Sequence, residues 1–120
     1  MTAGELYRLR KPELTPTEPI AKFFRDDDRF RKICQLLDEE HPLGRDYRLL
    51  AQIVGFNSGE TRTLSKEKSP TAKILEIFCL KREKEDKLKV LETFKKMVTT
   101  MEQQEVKALV ENEIMVATYN

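Results

Sequence analysis

Two short segments of this chain carry the same apolar spacing, separated by a brief polar insert. Tyr47, Leu50, Ala51 and Val54 fall at i, i+3, i+4 and i+7, and Thr71, Ile74, Leu75 and Phe78 repeat that order. At about 3.6 residues per turn this spacing lines four side chains along one face of an α-helix, whereas a half-buried strand would alternate every second residue. Phe30, Ile33, Cys34 and Leu37 give the pattern a third time. Short helices with one apolar stripe must bury it against one another, so the spacing predicts an all-α bundle.

Start and stop signals divide the chain further. Asp26, Asp27 and Asp28 suit the positive end of a helix over 28–39, and His41-Pro42-Leu43-Gly44 breaks it. A second helix over 46–54 stops at Gly55, a position that suits a left-handed cap. Asn57-Ser58-Gly59 opens a weak helix near 60–65 whose one strong anchor is Leu64. Ser69 as N-cap with Pro70 in the first turn starts a fourth helix, running to about residue 82. The charged loop Glu83-Lys84-Glu85-Asp86 leads to a fifth over 87–99, with Val90, Leu91, Phe94, Met97 and Val98. Thr100 and Gln103 have the spacing of a capping box for a sixth, which carries Val106, Leu109 and Val110. The expected architecture is a six-helix antiparallel bundle over 28–113, followed by a short tail, 114–120. Pro12, Pro16 and Pro19 make 1–27 an irregular arm or linker, with Ile20 and Phe23-Phe24 as anchors that pack back on the domain. Thr15-Pro16 and Ser69-Pro70 also fit proline-directed phosphorylation, although for Ser69 the helix start is the stronger reading.

At 120 residues the chain supports one domain with a modest core. Its 22 basic and 21 acidic residues nearly cancel, which argues against general nucleic-acid binding because such affinity comes from neutralising phosphates. A helix–turn–helix reader built from the second and third helices has only the basic 81–96 stretch in its favour. Local charge is uneven: 81–96 holds seven Lys/Arg against four acids, and 102–113 holds four Glu against one Lys. Such asymmetry favours partners of opposite local charge, including further copies of the chain. Two cysteines, Cys34 and Cys79, and one histidine, His41, support neither a disulfide framework nor a zinc site, and buried free thiols are expected. No apolar run approaches the ~20 residues that span a bilayer, and no signal-peptide core opens the chain. The expected location is cytoplasmic, as a free protein or the intracellular end of a membrane protein. His41 in its loop and the Glu39-Glu40 pair lack the partners of an acid–base site, so no enzyme activity, cofactor or small-molecule substrate is expected.

Lys32-Ile33-Cys34 with Leu37-Asp38, Asp46-Tyr47-Arg48 with Leu50-Ala51-Gln52, and Ser69-Pro70-Thr71 with Ile74-Leu75 and Ile77-Phe78 together resemble a death domain. The wording is similar to that of the repulsive, uncoordinated-type netrin receptors and their receptor-like relative lacking an ectodomain. Tyr47 and Phe78 stand where that branch has tryptophan. The resemblance covers about 28–110, and over 87–110 it rests on periodicity alone. It implies a docking domain C-terminal to a ZU5 domain, with roles in guidance, apoptosis or NF-κB signalling. It also implies other death domains as partners, or closure onto upstream domains of the same chain. Death domains meet through three asymmetric contacts. Carried onto this chain, the first opposes Arg45 and Arg48 to Asp38, Glu39, Glu40 and Glu76. The second opposes Lys81, Arg82 and Lys84 to Glu102 and Glu105, and the third involves Glu60 and Arg62.

Overall fold

The computed structural model describes residues 14–119, among which it has seven α-helices and no strand. In chain order they are α1 (Glu18–Ala21), α2 (Asp27–Asp38), α3 (Tyr47–Val54), α4 (Ser58–Leu64), α5 (Pro70–Leu80), α6 (Lys87–Thr100) and α7 (Gln104–Tyr119). Five of these helices begin at a side chain that takes up the amides their first turn leaves unpaired. Asp26, Asp46, Asn57, Ser69 and Asp86 each accept from backbone N–H groups of α2 to α6 in turn. Gly55 ends α3 at φ 113°, a left-handed conformation open to glycine, and its N–H reaches the carbonyls of Ala51 and Gln52.

Around these helices the core closes on four phenylalanines. Phe24 meets Phe94 edge-on at 5.8 Å between ring centroids and lies 6.3 Å from Phe30, while Phe78 lies 6.1 Å from Phe94. Ring pairs at these separations add to their burial. They bring together the segment before α2, then α2, α5 and α6. Buried on more than one face, α5 packs against α1, α2 and α3 with Ile74, Leu75, Phe78 and Cys79 inward. A three-residue turn, 101–103, folds α7 back along α6 as an antiparallel pair. Cys34 and Cys79 are free and buried. Burial, aided at Cys34 by the Asp38 charge, pushes both thiols up to about 12, so both stay protonated at neutral pH.

The observed helices depart from the sequence expectation in three places. A seventh, single-turn helix, α1, lies inside the supposed irregular arm, because Pro19 sits in its first turn, where the missing N–H costs nothing. Ile20, Phe23 and Phe24 around it are buried with the main core. The part of the arm before Leu14, including Pro12, lies outside the described residues, as does Asn120. Secondly, α7 runs through residues 114–119 instead of stopping at a tail, carried by Ile114 and Ala117, which pack on the core. Thirdly, Thr100 and Gln103 form no capping box. Thr100 is the last residue of α6 and its hydroxyl donates back to the Lys96 carbonyl at 3.0 Å. Glu102 turns the chain at φ 61°, and the Gln103 amide donates to the Arg45 carbonyl instead.

Phe24→Ala is expected to cost about 3–5 kcal/mol in denaturant unfolding, like any aromatic truncated in a closed core. A loss below about 1 kcal/mol would show that the segment before α2 is peripheral.

Candidate docking surface

A charged residue serves docking only if the fold leaves its charge uncommitted. Several candidates are already engaged. Asp46 is fully buried; besides capping α3 through the Arg48 N–H, it accepts the His41 N–H at 2.7 Å. The Arg48 guanidinium folds back on the same carboxylate, at 2.6 Å from Nη2 to Oδ2 and 2.9 Å from Nε to Oδ1, and also donates to the His41 carbonyl. Burial alone would raise the Asp46 carboxyl, but hydrogen bonds from Arg48 and from the His41 and Arg48 amides outweigh it and hold it below the usual carboxylate range. Arg48 therefore locks the 39–46 loop to α3.

Asp38 is similarly occupied. Its carboxylate accepts from the Ser69 hydroxyl at 2.6 Å and from the Thr71 N–H at 2.8 Å, fastening the end of α2 to the start of α5. This is the physical reason for the Leu37-Asp38 and Ser69-Pro70-Thr71 pairing seen in sequence. Arg45 from the α2–α3 loop and Glu102 from the α6–α7 turn, expected in different contacts, meet each other at 2.6 Å. Arg82 lies over the Phe78 ring at 4.1 Å and faces Glu85 at 3.9 Å. Glu60 completes a capping box with Asn57, accepting the Asn57 N–H at 2.9 Å.

The rest of the expected set is open. Glu39 and Glu40 follow α2 on the surface, with Glu40 reaching the Tyr47 hydroxyl at 3.4 Å, and a groove of about 300 Å³ runs beside them to Gln103. Lys81, Lys84, Arg62 and Glu105 are exposed, and Glu76 is half-buried beside Lys73 and Thr15. Among the described residues neither Lys81 nor Lys84 has an ion pair.

Two features escaped sequence reasoning. Glu113 is buried in α7, where its carboxylate accepts from the backbone N–H groups of Arg25 and Asp26, each at 3.2 Å, and from Arg29 Nε at 3.0 Å. The available signal was its register: Val106, Val110 and Glu113 share one face of α7. The second is that Lys22 and Arg25, from the supposed linker, join the corner at 81–87. Lys22 Nζ lies 3.8 Å from Glu83. Burial, and then the nearby Arg25 charge, lower the Lys87 ammonium below the usual lysine range.

Among the described residues no cluster of His, Cys, Asp or Glu could hold a metal ion, and no helix is long and apolar enough to cross a membrane. The family model described as Death domain matches residues 30–114, and the chain belongs to that family. Comparison with curated proteins and with solved structures gave no match. Death domains are protein–protein interaction modules of signalling, generally without enzymatic activity, and they bind other death domains.

Asp46 generates a test by pH. Its lowered folded-state value means that its contribution is complete above the unfolded carboxyl value near 4 and is lost as pH falls through the lower folded one. Asp46→Asn should cost about 1–3 kcal/mol at neutral pH, and the gap to the wild type should narrow in acid. A gap that stays constant from neutral pH to pH ~2 would refute this role for the carboxylate.

Proposed function

We propose that this domain acts as a non-enzymatic docking module for signal transduction in the cytoplasm, using the exposed charges that the fold leaves uncommitted. The observation that carries this reading is the division of labour among its ionic side chains. Asp38, Asp46, Arg48 and Glu113 are spent on holding helices together, while Lys81 and Lys84 at one place and Glu39, Glu40 and Glu105 at others face solvent. Exposed lone charges contribute little to stability, about 0–1 kcal/mol as surface pairs, so clusters of them on a rigid bundle serve association better than folding. Arg62 on α4 forms a third, smaller contact, with Glu60 beside it held in the capping box of Asn57. Arg45 and Glu102 enter as one paired unit, and Arg48 acts by positioning the α2–α3 loop.

Within the family, the Ile33-Cys34, Asp46-Tyr47-Arg48 and Ser69-Pro70-Thr71 blocks favour the netrin-receptor branch, including its ectodomain-lacking relative. Apoptotic, guidance or NF-κB signalling is the outcome that branch implies. A second reading, closure onto an upstream ZU5-type domain, draws on the segment before α2. Arg31 Nε donates to the Leu14 carbonyl at 2.7 Å and Ile20 is buried, so the segment that would lead in from a preceding domain is anchored on the bundle from Leu14 onward.

Capture of purified death domains of the netrin-receptor and adaptor types on the immobilised chain tests the main reading. The folded wild type is expected to retain at least one, and Lys81→Glu with Lys84→Glu to weaken that capture by about tenfold or more. A folded wild type that retains none and does not self-associate would end this proposal.

A further inference from the structure

Two Ser/Thr-Pro pairs, Thr15-Pro16 and Ser69-Pro70, have the minimal form that a proline-directed kinase accepts, and the fold treats them in opposite ways. Ser69 is shut in. Only 9% of it is exposed, its hydroxyl donates to Asp38 at 2.6 Å and accepts the Ala72 N–H at 3.2 Å, and Pro70 is buried in the first turn of α5. Phosphoryl transfer requires the acceptor hydroxyl to reach the kinase's catalytic aspartate in line with the γ-phosphate. Ser69 reaches it only if the α2–α5 junction opens, and a phosphate there would face the Asp38 carboxylate. Thr15 lies outside every helix and is exposed, and nearby Thr17 is extended at φ −71° and ψ 166°. Pro16 biases Thr15 towards the same extended backbone. One pair is presented and the other withheld.

Thr15 also has a receiving surface beside it. It shares a groove of about 260 Å³ with Lys68 and Lys73, which stand on either side of the α5 N-cap Ser69, and with Glu67 and Glu76. Both lysines are exposed, and among the described residues neither has an ion pair. A threonine hydroxyl gives them nothing to neutralise, whereas a phosphothreonine brings a charge of about −1.5 to −2 and three acceptor oxygens. The start of α5 adds the positive end of a helix dipole. The two acids oppose this attraction from farther out. Glu76 lies three residues farther along α5 than Lys73, and Glu67 lies one residue farther back than Lys68. The charges nearest the start of α5 are therefore the lysines.

We propose that Thr15 is the phosphorylation site of a proline-directed kinase, and that Lys68 and Lys73 hold the phosphate, clasping the segment before α1 onto the start of α5. In the transfer, Thr15 Oγ1 bonds to the γ-phosphorus of ATP and the bond from that phosphorus to the β–γ bridging oxygen breaks. ADP leaves, and the hydroxyl proton passes to the kinase's aspartate. Leu14 is already held through its carbonyl by Arg31 Nε, and Ile20 is buried, so the segment is seated before any modification. Phosphate adds a hold that a phosphatase can remove. Modification at Thr15 goes beyond the docking reading and does not depend on it.

Incubating the folded full chain with ATP and two purified proline-directed kinases, one cyclin-dependent and one mitogen-activated, tests the site, with phosphate located by mass spectrometry. Thr15 is expected to take phosphate about tenfold or more faster than Ser69, whose exposure needs local opening. No transfer to Thr15 by either kinase, or a Ser69 that keeps pace with it, overturns the inference. Amide hydrogen exchange then tests the clasp. Phosphorylation should slow the Ala21 and Phe24 amides, which donate to the Thr17 and Ile20 carbonyls, by about threefold or more at ~50 mM salt. The slowing should be lost at ~0.5 M salt, and also in the Lys68→Ala, Lys73→Ala variant, whose fold circular dichroism checks. Should that variant fail to fold, the salt comparison decides. A phosphorylated chain that exchanges as fast as the unmodified one, or equally slowly at both salt concentrations, overturns the clasp. Capture of other death domains by the unmodified chain is unaffected by any of these results.

Discussion

Carboxylates that hold backbone amides of other elements set this architecture. Asp38 leaves the end of α2 to hold the first turn of α5, Asp46 ties the α2–α3 loop to α3, and Glu113 reaches from α7 to the amides just before α2. Each answers a donor that a helix start or loop would otherwise bury unpaired, at a cost of about 1–3 kcal/mol per group. Packing of apolar stripes brings helices together but leaves them free to slide or rotate. A carboxylate fixed on two donors removes that freedom, because it fits at one register.

This economy of charge also explains where docking charges can be. A chain with 43 ionic side chains of 120 has more charge than its capping needs. The buried acids are neutralised at short range, Asp46 by Arg48 and Glu113 by Arg29, and on the surface Glu102 pairs with Arg45. What remains outside is sorted by the antiparallel run of α2 and α5, with a basic surplus where α5 ends and acids where α2 ends. The thiols of Cys34 and Cys79 take no part, held protonated by burial within the core.

Much of the fold was legible because it depends on local rules. The i, i+3, i+4, i+7 stripes found α2, α3 and α5 to within a residue or two, and Asp26, Gly55 and Ser69 cap helices as their types suggest. The misses came from tertiary context. Three prolines made the segment before α2 look irregular, yet Phe24 completes the aromatic core and Pro19 suits the start of a helical turn. The Thr100 and Gln103 spacing fitted a cap, but the α6–α7 turn spends Gln103 on the Arg45 carbonyl. For the candidate site, residue type and position were readable while pairing was not. Nothing in the sequence said that Arg45 and Glu102 would neutralise each other, or that Arg48 would be drawn onto Asp46. Such pairings follow from which ends of which helices meet, and Arg45 and Glu102 are 57 positions apart in the chain.

Association, as we propose it, uses the outward charges at the two ends of α2 and spares the charges locked inside. Amide chemical-shift mapping of the wild-type chain, followed from dilute to concentrated solution at low salt, addresses it most directly. Shifts are expected to gather at Lys22 to Arg25, Lys81 to Lys87 and Glu39 to Glu40, with Asp46, Arg48 and Glu113 unmoved. Shifts centred on Arg48 and the outer face of α3, with both ends of α2 silent, would contradict it.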